Sequence, residues 1–410
     1  MARRSNGNSS QMREVSRARA FMLGLVATGL ASLAGLAIVE IGLRLFDYSR
    51  PPFYRYDAQT GTSHRPNAEG WYEREDLIRI RINSNGLRGP EIPVVKPRDA
   101  FRIAILGDSF AEGFQVTFDA RLSKVMEDAI AASCAPEGRR VEVLNFGVSG
   151  YGQARELLMF RTYVRAYSPD LVLVLFHGGN DFRNNSKEME HAPFNPYFVF
   201  GEDGKLVLDR SKMDTPAFAR KLRWSNLRNE IVKHVRFLQV LQDYYERTII
   251  QQETAAAEAD GIDPSVTNVR TLAVAPPGND VEARAWALTE AHFRLIQEEV
   301  KAFTGRPLWV ANVPPALAVY PDKVERARQL AGLGLEDADY VERRLSALFA
   351  REGIKFSPLT ASLREEAERS GRDLHHFEYR GGLGGHWNAR AHGVAGRRIA
   401  NDLCAAGAFR

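Results

Sequence analysis

Apolar positions along this chain follow two rhythms. Short apolar runs recur at Ile103-Ala104-Ile105-Leu106, Val141-Glu142-Val143-Leu144, Leu171-Val172-Leu173-Val174-Leu175-Phe176, Leu308-Trp309-Val310-Ala311 and Gly353-Ile354-Lys355-Phe356. Runs of this length, bounded by turn residues, predict strands buried on both faces. Between them apolar residues return at helical spacing, as at Trp286, Leu288, Phe293, Leu295 and Ile296, and again over residues 389–404. Strands that alternate with helices predict an α/β domain, a parallel five-stranded sheet covered on both faces, over residues 101–410. An insertion interrupts it at about residues 183–280. There, 215–250 carry the helical series Leu222, Leu227, Ile231, Val232, Val235, Leu238 and Leu241, and the polar stretch 251–280 predicts a mobile loop. Residues 47–100, rich in Pro, Tyr and Arg, alternate at Ile78, Ile80 and Ile82 before the turn signal Asn83-Ser84-Asn85-Gly86. They predict a linker and small β-subdomain, placed either as a stalk or as a wall of the site.

The N-terminal pattern differs from all of this. Residues 20–39 are uncharged and mostly apolar, long enough for a helix to span a bilayer, and the run continues through Ile41 and Leu43 to Leu45-Phe46. A retained transmembrane signal anchor over 20–46 is the expectation; the alternative is a signal peptide cleaved near Ser32-Leu33-Ala34. Arg3, Arg4, Arg13, Arg17 and Arg19 against Glu14 give residues 1–19 a net charge of +4. That basic tail stays cytoplasmic by the positive-inside rule, which makes the remainder an extracytoplasmic (periplasmic or outer-face) domain on a single-pass anchor. The whole chain is also formally +4, so everything beyond residue 19 sums to zero. The basic balance therefore reports topology, and with no basic stripe interleaved with aromatics, nucleic acid is not an expected partner.

Chemistry enters at the ends of the apolar runs. Ser109 lies in Gly107-Asp108-Ser109-Phe110, directly after the first. The second leads into Asn145-Phe146-Gly147-Val148-Ser149-Gly150, and the third into His177-Gly178-Gly179-Asn180-Asp181. His386-Trp387-Asn388 precedes the last helical pattern. Open α/β sheets bind ligands outside the carboxyl ends of their strands. A serine hydroxyl there needs a neighbouring base to become a nucleophile, and histidine suits that task near neutral pH.

These four blocks, in this order, resemble the SGNH (GDSL-type) hydrolase family over roughly residues 102–404. The resemblance implies a flavodoxin-like three-layer αβα sandwich. It makes Ser109 the nucleophile and His386 the general base, with the N–H groups of Ser109 and Gly147 and the Asn180 amide as oxyanion donors. It implies hydrolysis of esters through an acyl-enzyme, with no cofactor. Family and location together suggest O-acyl, first of all O-acetyl, groups on an envelope glycan or lipid. An O-acyltransferase working through the same acyl-enzyme, or an inactive domain with a scaffold role, are the alternatives.

One family feature is missing. The aspartate that usually orients the histidine from two or three residues upstream is replaced by Gly384 and Leu383. A backbone carbonyl within 381–385 or a bare Ser-His dyad is the first expectation, then Asp373, then Glu378. Asp181 reads as a structural hydrogen-bond acceptor and Asn388 as an N-cap of the last helix. No G-x-S-x-G elbow or G-x-G-x-x-G loop is present, and His375, His376, His386 and His392 lack a zinc-ligand spacing, so no metal is expected. In the flavodoxin-like arrangement the first and last helices share a face of the sheet. Cys134 and Cys404, at their ends, are then either a disulfide or two separate buried thiols.

Overall fold

Residues 7–190, 192, 194–245, 248, 272–379, 382, 383 and 385–409 are described by the structure, a computed structural model. Helix α1 (Gly7–Leu45) continues from the basic tail through the apolar segment. Its Arg19–Leu45 stretch, of mean hydropathy 2.1, is long and apolar enough to cross a membrane, and its most apolar window touches no protein interior. Two antiparallel hairpins follow, β1 (Tyr54–Asp57) with β2 (Gly61–His64) and β3 (Glu69–Glu73) with β4 (Leu77–Arg81). On β4 the alternation predicted from sequence holds: Ile78 and Ile80 point inward while Leu77, Arg79 and Arg81 face out. The inward residues join Phe53, Ala68, Ile82 and Phe114 in a small core of their own.

In chain order the sheet domain then comprises β5 (Ala100–Gly107), α2 (Ser109–Glu112), α3 (Leu122–Ser133), β6 (Arg140–Asn145), α4 (Gln153–Thr162), β7 (Leu171–His177) and α5 (Asp181–Asn185). The hairpin β8 (Tyr197–Phe200) and β9 (Leu206–Asp209), helix α6 (Pro216–His234) and helix α7 (Asp280–Thr304) come next. The chain closes with β10 (Trp309–Val313), α8 (Lys323–Gly332), α9 (Tyr340–Glu352), β11 (Lys355–Ser357), α10 (Thr360–Ser370) and α11 (Ala389–Ala405). The five-stranded sheet has the order β11-β10-β7-β5-β6, and every neighbouring pair is parallel. This is the flavodoxin-like arrangement, and its switch point lies between β5 and β7, where successive connections leave in opposite directions.

Period-two alternation splits the strands between two cores. Ala104, Leu106, Val172, Val174 and Val310 meet Leu157, Phe160, Trp286, Phe293 and Phe349 on one face. Ile103, Ile105, Leu171, Leu173 and Trp309 meet Leu122, Met126, Ile130, Leu363, Ala395 and Ile399 on the other. Helices α3 and α11 lie close on that second face: a Cβ at Gly396 would come within 2.9 Å of the Leu122 carbonyl oxygen. Cys134 and Cys404, at the ends of the same two helices, are joined by a disulfide with Cα atoms 5.7 Å apart.

Three local expectations change. The strand placed at 353–356 begins at Lys355, because Gly353 caps α9 in the left-handed conformation, φ +68°. The helical pattern over 215–250 breaks after His234, where Val235 is extended, and residues 236–245 form a second helical stretch. The end of the polar stretch is not a free loop either, since Leu272, Ala273 and Val274 are buried; residues 251–271 lie outside the described residues.

Candidate active site

Ser109 is the first residue of α2, at the carboxyl end of β5 beside the switch point. Asp108 caps the helix, its Oδ1 accepting from the Phe110 N–H at 2.9 Å. Gly107 has φ +155°, and a Cβ there would lie 2.8 Å from Ala111 Cβ, so the sharp turn that presents Ser109 requires glycine. As the first helical residue, Ser109 has an N–H with no intrahelical acceptor. Its side chain is nearly buried, at 7% exposure.

His386 is fixed from its C-terminal side. The next residue, Trp387, is fully buried, and Asn388 caps α11 by accepting from the Ala391 N–H while its amide donates to the carbonyls of Asp373 and His376. Phe110 packs its ring against both His386 and Trp387, with centroids 5.1 and 5.3 Å away. These constraints set His386 Nε2 at 2.8 Å from Ser109 Oγ.

The carboxylate that meets His386 Nδ1 is Glu75, neither Asp373 nor Glu378. Glu75, at the turn between β3 and β4, accepts from His386 Nδ1–H at 2.7 Å through Oε2. Its Oε1 accepts the backbone N–H groups of Gly385 and His386 at 2.6 and 3.2 Å. An ionised carboxylate only accepts, so Nδ1 carries the hydrogen and Nε2 turns its lone pair toward Ser109. Asp373 instead accepts from the His375 N–H within its own turn, and Glu378 is exposed. Residues 381 and 384 of the glycine-rich run lie outside the described residues.

Electrostatics follow from this contact. Burial disfavours the charged imidazole, but the hydrogen bond and charge of Glu75 outweigh it and hold the His386 pKa above its ordinary value. Burial likewise raises Glu75, yet the His386 contact and the two N–H donors bring its carboxyl below the usual range. Two further histidines are buried and driven neutral by desolvation, His375 to about 4 and His392 to about 3. His392 Nδ1 accepts from the Leu122 N–H, a packing role at the α3–α11 contact.

The two expected oxyanion positions differ in their commitments. Asn180 gives one Nδ2 hydrogen to Asn184 Oδ1 at 3.0 Å, which leaves the second for a ligand. The Gly147 N–H, by contrast, is already donated to Asn145 Oδ1 at 2.9 Å. What the structure does require of Gly147 is space, since a Cβ would sit 2.6 Å from Ala111 Cβ and 2.7 Å from the Glu112 nitrogen. Asp181 accepts from Gln153 Nε2 and the His177 N–H. Burial, together with nearby Asp108, pushes its carboxyl and that of Glu156 far above the usual range.

The β1–β2 hairpin is bolted to α2 by Glu112. Its carboxylate takes the Tyr54 hydroxyl at 2.8 Å, His64 Nε2 at 2.6 Å and the Ser149 N–H at 3.1 Å. Nothing in the sequence ties Glu75 to a histidine 311 positions away. The available signal was a carboxylate at a hairpin turn preceding a domain whose histidine lacks its acid. A groove of about 600 Å³, lined in part by Phe53, Tyr54, Tyr56, Trp71, Tyr72 and Arg74, lies alongside β3 and reaches the residue before Glu75.

No curated protein matches the chain in sequence. Solved structures similar to it include an acetylxylan esterase from Geobacillus stearothermophilus, 11% identical over 74% of this chain and 94% of that one, with a TM-score of 0.35. A lipase/acylhydrolase from Enterococcus faecalis is 14% identical over 75% and 96%, TM-score 0.34. A lipase from a goat rumen metagenome is 12% identical over 74% and 97%, TM-score 0.38. Residues 103–261 match the model of the GDSL-like lipase/acylhydrolase family, a segment that holds Ser109, Gly147 and Asn180. The match thus places a GDSL-like lipase/acylhydrolase domain over residues 103–261, which carry three of the four blocks read from the sequence.

Proposed function

We propose that the chain is a membrane-anchored, extracytoplasmic esterase that removes O-acyl groups, O-acetyl first, from an envelope glycan or lipid. The hydrogen-bonded line Ser109 Oγ–His386 Nε2, His386 Nδ1–Glu75 carries the reading. In the first half-reaction Ser109 Oγ attacks the ester carbonyl as its proton passes to His386 Nε2, and the imidazolium is held by Glu75. The oxyanion lies against the Ser109 N–H and the free Asn180 hydrogen. Collapse of the tetrahedral adduct releases the alcohol, which takes the proton from Nε2, and leaves an acyl group on Ser109. Water, deprotonated by the same nitrogen, then releases the carboxylic acid and restores the serine.

The anchor reading rests on the apolar Arg19–Leu45 helix behind its arginine-rich tail. A glycan is favoured by the groove of aromatic side chains and arginines beside Glu75, a composition that stacks on and hydrogen-bonds to sugars. The test is turnover of p-nitrophenyl acetate, and of an acetylated polysaccharide, by the full chain in detergent. Acetate release from both, abolished in Ser109→Ala, supports the reading. Acetate appearing on an added glycan acceptor rather than in solution would assign a transferase, and turnover that survives Ser109→Ala would refute the acyl-enzyme.

A further inference from the structure

We infer that helix α6 is an interfacial membrane helix, a second contact with the bilayer beside the anchor; this rests on the anchor reading above. Its inner side packs through Phe218 and Val232, which are buried. The opposite side exposes Trp224, Leu227 and Ile231 at 62, 51 and 51%. Positions 224, 227 and 231 fall within one stripe of a helix of 3.6 residues per turn. A second apolar stripe, turned away from the protein it belongs to, needs another medium.

Charge identifies that medium. Helix α6 carries Arg220, Lys221, Arg223, Arg228 and Lys233 against Glu230 alone, a net of +4 in a chain whose remainder beyond residue 19 balances to −4 without it. Arg220, Arg223 and Arg228 make no ion pair among the described residues. A basic helix with an exposed Trp-Leu-Ile stripe is the composition that lies in the headgroup layer of an anionic bilayer, its apolar side chains dipping toward the acyl chains.

Position points the same way. The carboxyl end of α6 is tied to the last turns of α1: Arg44 Nη2 donates to the His234 carbonyl at 2.7 Å. Glu40 accepts the N–H groups of Arg236 and Phe237, at 3.1 and 2.9 Å, and so caps the helical stretch 236–245. That stretch exposes Leu241, Tyr244 and Tyr245 in turn, and Leu45 and Phe46 are bare beside it. The exposed apolar surface of α6 therefore begins where the anchor leaves the hydrocarbon. The occupant that fits is the anionic lipid surface itself.

The test uses the full chain in vesicles of phosphatidylglycerol and phosphatidylethanolamine. Both native cysteines are consumed in the disulfide, so a single introduced cysteine takes a nitroxide label. Leu227→Cys, Ile231→Cys, Val324→Cys on α8 and Leu33→Cys within α1 are compared by collision with oxygen, which favours lipid, and with a nickel chelate, which favours water. Labels at 227 and 231 that collide more with oxygen than nickel, and the reverse at 324, are expected. Labels at 227 and 231 that behave like 324 while 33 reads as lipid would overturn the inference and leave the anchor standing. Labels shielded from both reagents would mean that protein, a second copy of the chain, covers the stripe, which also overturns it. A label at 33 that reads as water would remove the anchor reading and the inference with it.

Discussion

Replacing Glu75 with Gln removes the charge that faces His386 and keeps the side chain's size. The wild-type carboxylate takes three hydrogen bonds, two of which, from the Gly385 and His386 N–H groups, an amide oxygen can still accept. The bond to Nδ1–H, at 2.7 Å, is the one that becomes stronger as His386 gains its proton in the transition state. Hydrogen bonds to charged groups contribute about 1.5–3 kcal/mol, and about 1.4 kcal/mol is tenfold in rate. The expected loss in kcat/KM is therefore about ten- to 150-fold, and larger where the amide NH2, which faces Nδ1 when the oxygen keeps the two backbone bonds, inverts the tautomer. A pH effect accompanies it. Because catalysis needs neutral His386, the acid limb of wild-type kcat/KM lies above the ordinary value of 6.5, and it moves to lower pH in Glu75→Gln. The stability sign is opposite for the two partners. The raised His386 stabilises fully below 6.5 and loses this as pH rises through its folded value, whereas the lowered Glu75 stabilises above 4.5 and loses it as pH falls through its own. The Tm difference between wild type and variant should thus peak between those limits. Initial rates with p-nitrophenyl acetate from pH 5 to about 9 measure the kinetic part. A variant within twofold of wild type, with an unmoved acid limb, would show that Glu75 does not orient the base.

Other perturbations separate chemistry from packing. Asn180→Ala removes a developing-charge donor and should lower kcat about 100- to 1,000-fold with little change in KM, read by steady-state kinetics. Gly147→Ala pushes a methyl to 2.6 Å from Ala111 Cβ and into the Glu112 backbone, so it should displace α2 and lower both kcat and Tm. An active, normally stable Gly147→Ala enzyme would contradict the packing. Cys134→Ser with Cys404→Ser opens a closure across 270 residues between α3 and α11. It should cost about 2–4 kcal/mol in urea unfolding and spare the active-site geometry.

The parts of the structure with a periodic or local cause could be read from the sequence. The central strands β5, β7 and β10 announce themselves as unbroken apolar runs, and the alternation Ile78, Ile80, Ile82 marks a one-sided strand. The four blocks sit at strand ends because backbone leaving a parallel sheet exposes its last residues; the order of the strands is implied only by the family that the blocks resemble. Glu75 could not be read this way. Its link to His386 depends on how the separate β3–β4 hairpin packs beside the end of α2, with Tyr72 against Phe114, a tertiary contact with no periodicity and no fixed spacing. Val235 misled for a related reason. Its apolar side chain fits the helical series, and the break there is supported by Glu40 of α1, which caps the residues that follow. The buried end of the insertion lies in the four-residue apolar run Leu272-Ala273-Val274-Ala275, which is closed by two prolines and carries no helical period.

The central claim is that Ser109 is acylated by ester substrates with His386 as base. The most direct measurement is active-site titration of the full chain in detergent with a fluorophosphonate, followed by peptide mapping. One phosphonyl group per chain on Ser109, absent in Ser109→Ala and slowed at least about 1,000-fold in His386→Ala, is the predicted result. A folded protein that takes no label, or takes it on another residue, would contradict it.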